Sequence, residues 1–290
     1  MKELYQFHSD YCDVDSGNSI FYIDEGTGPI IVMIHDCPMS SFEFRLEIHE
    51  LSKCHRVLAY DQIGFGLSDT PDGQYEYGIS KKIEFMERLL YRIGVTNEKL
   101  TLLMHGRGSA IGVGFAEKHP EQIRSLIVMN APSFSCFHIP YRLFLFQSKH
   151  LSFFLFPVLK KILSPPRKLP PVVRHAYTNC LTRKSRIPLF HFIESLPDIP
   201  ESSSYRLLLS IEIALWTIRK KPMLILWGEK DWLYNHQDAK KWKEYFPEAE
   251  FHFIPHAGRY LTEEAPMEIL QYIKNFLDLE SQDNAGEVNA

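Results

Sequence analysis

The chain has 290 residues, 45% of them hydrophobic, and a formal net charge of -4 at pH 7. This length and apolar content allow a sizeable core, in one domain with an insertion or in two small domains. Phosphate binding needs clustered positive charge, and the sequence has no dense block of lysine and arginine, so no nucleic-acid partner is expected.

The five cysteines are widely scattered and include no C-x-x-C pair. This pattern predicts neither a disulfide framework nor a zinc site, and we expect no metal and no cofactor. The first residues, MKELYQFHSDY, lack the apolar run of a signal peptide, and no segment approaches the roughly 18 apolar residues of a membrane span. A soluble, cytoplasmic protein is the expectation.

Five apolar runs in the first half of the chain are typical of strands: residues 20–24, 30–34, 55–61, 99–105 and 124–130. The first two are separated by the turn sequence EGTG, which predicts an opening hairpin. Apolar residues at helical spacing predict a helix over residues 80–93, where Gly94 fits the stop, and a second helix over residues 109–119.

The same alternation resumes near Pro222. Strands are predicted over residues 222–228 and 249–255, with helices over residues 236–246 and 266–279. Alternating strands and helices build a parallel sheet that is covered by helices on both faces. The predicted fold class is therefore α/β, with a doubly wound, mostly parallel sheet of about eight strands.

Residues 133–217 contain no clear strand but many aromatic residues, including the run YRLFLFQSKHLSFFLFPVLKKIL. They predict a mostly helical lid over the carboxyl edge of the sheet, where ligands bind in open α/β folds. The core then comprises residues 1–132 and 218–280, and the polar tail, 281–290, is expected to be disordered. Binding of the aromatic run to a membrane surface is disfavoured because Pro157 interrupts it.

Five motifs follow one another in a defined order: HDCP (35–38), DQIGFGLSD (61–69), HGRGS (105–109), WGEKD (227–231) and PHAGRYLTEEAP (255–266). Together they resemble the α/β-hydrolase fold, and most of all its haloalkane dehalogenase and epoxide hydrolase branch. The resemblance covers about residues 15–280, lid included. It implies the position of each catalytic group.

In that family the nucleophile, Asp or Ser, lies on a strained turn between a strand and a helix. Here Gly106 takes that position, and glycine has no side-chain atom that can attack carbon. The acid that orients the base is matched by Asp231. The base, a histidine in the family, is replaced by Arg259, which stays protonated at ordinary pH. The resemblance therefore implies that one of the three catalytic groups remains.

The predicted binding residues are His35, Asp36, Cys37 and Arg107. Cys37 replaces an asparagine that helps dehalogenases hold halide, and Arg107 replaces a tryptophan with the same role. The backbone amides at 37 and 107 remain as candidates for an oxyanion-type pocket, since they depend on the path of the chain more than on side chains.

We expect Arg259 to form an ion pair with Asp231, the position beside it in the family geometry. Arg107 adds a second guanidinium group, so the pocket is expected to carry net positive charge that suits a carboxylate or a phosphate.

These features favour a pseudo-hydrolase that binds a small ligand, with an anionic ligand as one option, or a protein partner. The alternative is an active hydrolase, lyase or isomerase with a rebuilt site. In that case Cys37 is the candidate nucleophile and His256 the candidate base. The sequence leaves open whether the protein is an enzyme.

Overall fold

A computed structural model describes residues 5–71, 75, 77–133, 156–180, 187–188 and 203–287. Within these ranges one sheet has the strand order β1-β2-β4-β3-β5-β6-β7-β8. Its strands are β1 Ser9–Asp15, β2 Asn18–Glu25, β3 Ile30–Ile34, β4 Arg56–Tyr60, β5 Leu100–His105, β6 Ile123–Met129, β7 Met223–Gly228 and β8 Glu250–Ile254. From β4 to β8 all neighbouring strands are parallel, whereas β2 is antiparallel to both β1 and β4.

The antiparallel end of the sheet differs from the prediction. The expected hairpin of residues 20–24 and 30–34 is wrong, because β2 pairs with β1 and β4 while β3 lies between β4 and β5. All five residues of β3 are buried, as is typical of a central parallel strand. Strand β1 was not predicted, since only Cys12 and Val14 of its residues are buried and its hydrophobic pattern is correspondingly short.

The helices of the described ranges are α1 Arg45–Leu51, α2 Ile79–Ile93, α3 Gly108–Lys118, α4 Phe156–Ile162, α5 Pro171–Cys180, α6 Ser203–Ala214, α7 His236–Tyr245, α8 Leu261–Glu264 and α9 Pro266–Glu287. None of them combines the length and the hydropathy that crossing a membrane requires. The predicted core helices agree closely with α2, α3 and α7.

Helices cover both faces of the sheet. Alternate residues of β3 contribute to two separate cores, Val32 and Ile34 to one and Ile31 and Met33 to the other. The first core includes residues of α2, α3, α6 and α7, and the second includes residues of α1, α8 and α9. This arrangement confirms the predicted doubly wound α/β fold.

Two predictions concern segments outside the regular core. The tail expected to be disordered from residue 281 is helical as far as Glu287, because α9 continues past its apolar part. Extending a formed helix costs far less than nucleating one, so polar residues can prolong it. Of the predicted lid, α4, α5, α6 and the turn that follows α6 are described. Residues 134–155, 181–186 and 189–202 lie outside the described ranges, and the lid role stays a prediction.

Candidate functional site

Four of the predicted site residues follow four parallel strands. Asp36 lies after β3, Gly106 after β5, Asp231 after β7 and Arg259 after β8. The carboxyl ends of parallel strands meet at one edge of a sheet, which is where open α/β folds bind their ligands. The side chains of Asp36, Asp231 and Arg259 are all buried there.

Gly106 forms the turn between β5 and α3 in the left-handed region, with φ of 52°. Glycine adopts this conformation without the cost that a Cβ imposes. A Cβ built on Gly106 would lie 2.2 Å from the Cγ atom of Asp36. The Asp36 carboxylate therefore occupies the space directly beside the turn, and a side chain at 106 would require Asp36 to move.

The Asp36 carboxylate is held by three donors. Its Oδ1 accepts hydrogen bonds from the backbone N–H of Arg107 at 2.9 Å and from the hydroxyl of Tyr234 at 3.1 Å. Its Oδ2 accepts a hydrogen bond from Nη2 of Arg259 at 2.6 Å. The Arg107 amide, a candidate donor to an oxyanion, is thus bonded to a carboxylate of the protein itself.

Arg259 pairs with a different residue from the one expected. The prediction of an ion pair with Asp231 is wrong, because the guanidinium group binds Asp36 and also donates to the backbone oxygen of Cys37 at 2.8 Å. Burial lowers the pKa of Arg259, but Asp36 and other anionic neighbours outweigh burial and raise it above the ordinary value. The group stays a cation and cannot accept a proton.

Asp231 turns one oxygen toward its own loop. Its Oδ1 accepts the backbone N–H groups of Leu233 at 2.8 Å and Tyr234 at 3.0 Å. Burial raises the pKa of Asp231 to about 6, against the opposing effects of Arg259 and the two amides. The other oxygen, Oδ2, has no hydrogen-bond partner among the described residues.

The charge balance of the site also differs from the prediction. The guanidinium groups of Arg107 and Arg259 are accompanied by two carboxylates, Asp36 and Asp231, rather than by one. Burial lowers the pKa of Arg107, and Asp36 is among the anionic neighbours that oppose this effect. Asp36 offsets part of the expected positive charge, and a net positive pocket that suits an anionic ligand stays a prediction.

The comparisons with known proteins agree with this architecture. Residues 29–155 match the model of the alpha/beta hydrolase fold family. The chain is also 32% identical to a cis-3-alkyl-4-alkyloxetan-2-one decarboxylase of Shewanella oneidensis, over 94% of this chain and 89% of that protein. The chain belongs to the alpha/beta hydrolase fold family.

Other members of the family place this α/β hydrolase near the branch that the motifs predicted. It is 30% identical to a haloalkane dehalogenase of Mycobacterium marinum, over 81% of each protein. The structure of a loop variant of a haloalkane dehalogenase from Bradyrhizobium elkanii superimposes with a TM-score of 0.84, at 20% identity, over 97% of this chain and 99% of that one. The predicted resemblance is thereby confirmed.

His35 and Cys37 of this α/β hydrolase face Gln62. The backbone N–H of Gln62 donates to Nε2 of His35 at 2.9 Å, and burial lowers the pKa of His35 to about 3, so the ring is neutral. The Cys37 thiol donates to Oε1 of Gln62 at 3.3 Å, and burial raises its pKa although Lys82 opposes this. The prediction of Cys37 as a nucleophile is not supported, because the reactive form of cysteine is the thiolate.

His256 lies away from the site. Its side chain is 57% exposed, and its Nε2 is 3.5 Å from the Oε2 atom of Glu268. The interpretation of His256 as a replacement base is therefore wrong. The loop after β8 directs Arg259, rather than this histidine, into the site.

One pair of residues was missed by the sequence analysis. Glu43 accepts the backbone N–H of Asp36 at 2.9 Å, and its other oxygen lies 2.8 Å from Nδ1 of His105. Both side chains are fully buried. Glu43 thus holds the Asp36 loop against the end of β5, but it follows HDCP in an ordinary-looking stretch, SSFEF, that carries no motif.

Proposed function

We propose that this member of the α/β-hydrolase fold family binds a small ligand without hydrolysing it. The observation that carries the proposal is the position of the Asp36 carboxylate beside Gly106, where it accepts hydrogen bonds from the Arg107 amide, the Tyr234 hydroxyl and Arg259. Charge-assisted hydrogen bonds of this kind stabilise the carboxylate and reduce its tendency to attack carbon.

None of the described residues at the site supplies the neutral histidine that activates hydrolytic water in the family. Arg259 remains protonated, and the neutral ring of His35 is bonded to Gln62 and to its own loop. Burial lowers the pKa of His105, but Glu43 outweighs burial and raises it, which favours the imidazolium form. An imidazolium donates protons and does not accept them. The base-assisted hydrolysis that follows covalent attack in the family therefore lacks its histidine base among these residues.

A small ligand is favoured over a protein partner because several buried side-chain atoms at the sheet edge have no hydrogen-bond partner among the described residues. Arg259, Asp231 and His105 each contribute at least one such atom. A small molecule reaches groups at this depth more readily than a protein surface does.

An enzyme that uses Asp36 as its nucleophile is the second candidate. A carboxylate in contact with the turn at Gly106 favours it, as does the 32% identity to a protein named for decarboxylation of an oxetan-2-one. Attack by Asp36 on the ring carbon that carries the 4-alkyl group would break the bond between this carbon and the ring oxygen. The carbon would then be joined to Asp36 as an ester, and the ring carbonyl would become a free carboxylate. Loss of carbon dioxide would then form the alkene double bond and release Asp36. This sequence transfers no proton and needs no base.

Turnover by the purified native protein separates the two candidates. We expect no product above the buffer rate from a cis-3-alkyl-4-alkyloxetan-2-one, an epoxide or a haloalkane, measured by gas chromatography. Product formation that Asp36→Asn abolishes, while Asp278→Asn at an exposed position of α9 leaves it unchanged, would support the second candidate and overturn the first.

A further inference from the structure

Three buried side chains at the sheet edge have polar atoms without a hydrogen-bond partner among the described residues. They are Nε and Nη1 of Arg259, Oδ2 of Asp231 and Nε2 of His105. The three residues are 2%, 6% and 0% exposed. Leaving a buried polar group unpaired is unfavourable, so several such groups at one place indicate a ligand-binding site.

The three groups form one cluster. The loop after β7 lies against Arg259, whose Cζ atom is 5.8 Å from the ring centroids of both Trp232 and Tyr234. The same loop donates two amides to Asp231. His105 ends β5, and Asp231 and Arg259 follow β7 and β8, so all three residues lie at the same edge of the sheet. Burial raises the pKa of Asp231, and Arg259 and His105 both oppose that rise.

No direct ion pair joins Asp231 to Arg259 within these described residues, although each has an unused polar atom. The unused atoms differ in kind. Arg259 offers N–H donors, His105 in its imidazolium form offers one more, and Asp231 offers an acceptor. A ligand that satisfies the cluster must therefore carry an acceptor and a donor close together.

We infer that this cluster recognises the neutral carboxamide group of a small ligand, an inference that rests on the proposed function. The carbonyl oxygen accepts two hydrogen bonds and so suits Arg259 and His105, and the amide N–H donates to Asp231. A carboxamide adds no charge to a buried site in which Asp36 already balances Arg259. A carboxylate has no donor and would add charge beside the buried carboxyl groups of Asp36, Asp231 and Glu43, and an ammonium would bring no acceptor.

Titration calorimetry with matched ligands tests the inference. The probes are hexanamide, hexanoate, methyl hexanoate and hexylamine, added to the native protein at pH 7.5. We expect hexanamide to bind about tenfold more tightly than any of the other three, the ratio that one satisfied buried hydrogen bond supplies. Binding of hexanoate as tight as that of hexanamide would overturn the inference, and so would the absence of hexanamide binding at millimolar concentration.

Two variants assign the preference to the cluster. Asp231→Ala is expected to abolish the preference for hexanamide over methyl hexanoate, because the ester lacks the N–H that Asp231 accepts. Asp278→Ala, at an exposed position, should keep the preference. If Asp231→Ala fails to fold, Asp231→Asn, which retains an acceptor oxygen, should keep part of it. If neither Asp231→Ala nor Asp231→Asn alters the preference for hexanamide, the assignment to the cluster is contradicted. Turnover of an oxetan-2-one, an epoxide or a haloalkane tests the proposed function in a separate experiment. A failure of the proposed function is therefore distinguishable from a failure of the carboxamide inference.

Discussion

Replacing Arg259 with methionine is expected to destabilise the protein by about 3–5 kcal/mol, the range found when one partner of a buried ion pair is removed. The side chains of Arg259 and Asp36 are 1% and 0% exposed, with 2.6 Å between Nη2 and Oδ2. Methionine fills much of the arginine volume but leaves the Asp36 charge without a cation. The measurement is urea unfolding at pH 7.

A surface ion pair gives the matched control. Arg56 binds Asp24 at 2.7 Å, but the two side chains are 30% and 22% exposed. Arg56→Met should therefore cost about 1 kcal/mol or less. The double variant Asp36→Asn with Arg259→Met is expected to be more stable than Arg259→Met alone, since it removes the unpaired charge. Equal losses for Arg259→Met and Arg56→Met would contradict the role assigned to the buried pair.

Replacing Glu47 with glutamine is expected to stabilise the protein at high pH. Glu47 lies on α1, is fully buried, and has no partner for either carboxyl oxygen within the described part of the chain. Burial raises its pKa from 4.5 to about 8, and the nearby Glu263 also raises it. Because the unfolded chain releases this proton first, stability falls as pH rises from 4.5 to about 8.

Glutamine is neutral at every pH and nearly the same size, so Glu47→Gln should remove this loss. Above pH 8 the expected gain is up to about 5 kcal/mol, and below pH 4 it is close to zero. Urea unfolding from pH 4 to pH 9 measures it. Glu248→Gln, at an exposed position, serves as control and should follow the native curve. Parallel curves for Glu47→Gln and the native protein would show that Glu47 is not the source of the pH dependence.

The sequence predicted the central sheet well because its strands are short, fully buried apolar runs. β5 and β7 are buried at every residue, which leaves a strong local signal. Strand pairing is not local, and this is why β2 and β3 were wrongly predicted to form a hairpin. The weak apolar pattern of β1 gave no reason to place it beside β2.

The candidate site was likewise predicted only in part. Its residues were predicted from the resemblance of the motifs to the family, but their partners were not, since a partner depends on the path of a loop. The motifs contained one unused signal. HDCP has an aspartate at the second position, where the corresponding motif of the family, HGNP, has glycine, and HGRGS has glycine at the nucleophile position. Read together, these two changes indicate that the carboxylate at 36 takes the space beside residue 106.

The most direct test moves the carboxylate from position 36 to position 106, the nucleophile position of the family. The triple variant Asp36→Gly, Gly106→Asp, Arg259→His frees the space beside residue 106, restores the nucleophile and supplies an imidazole near Asp231. The measurement is kcat/KM for the oxetan-2-one, epoxide and haloalkane substrates, with the native protein and Gly106→Asp alone as references. We predict turnover by the triple variant only, because in Gly106→Asp the new side chain collides with Asp36. Turnover by the native protein that equals or exceeds that of the triple variant would contradict the account.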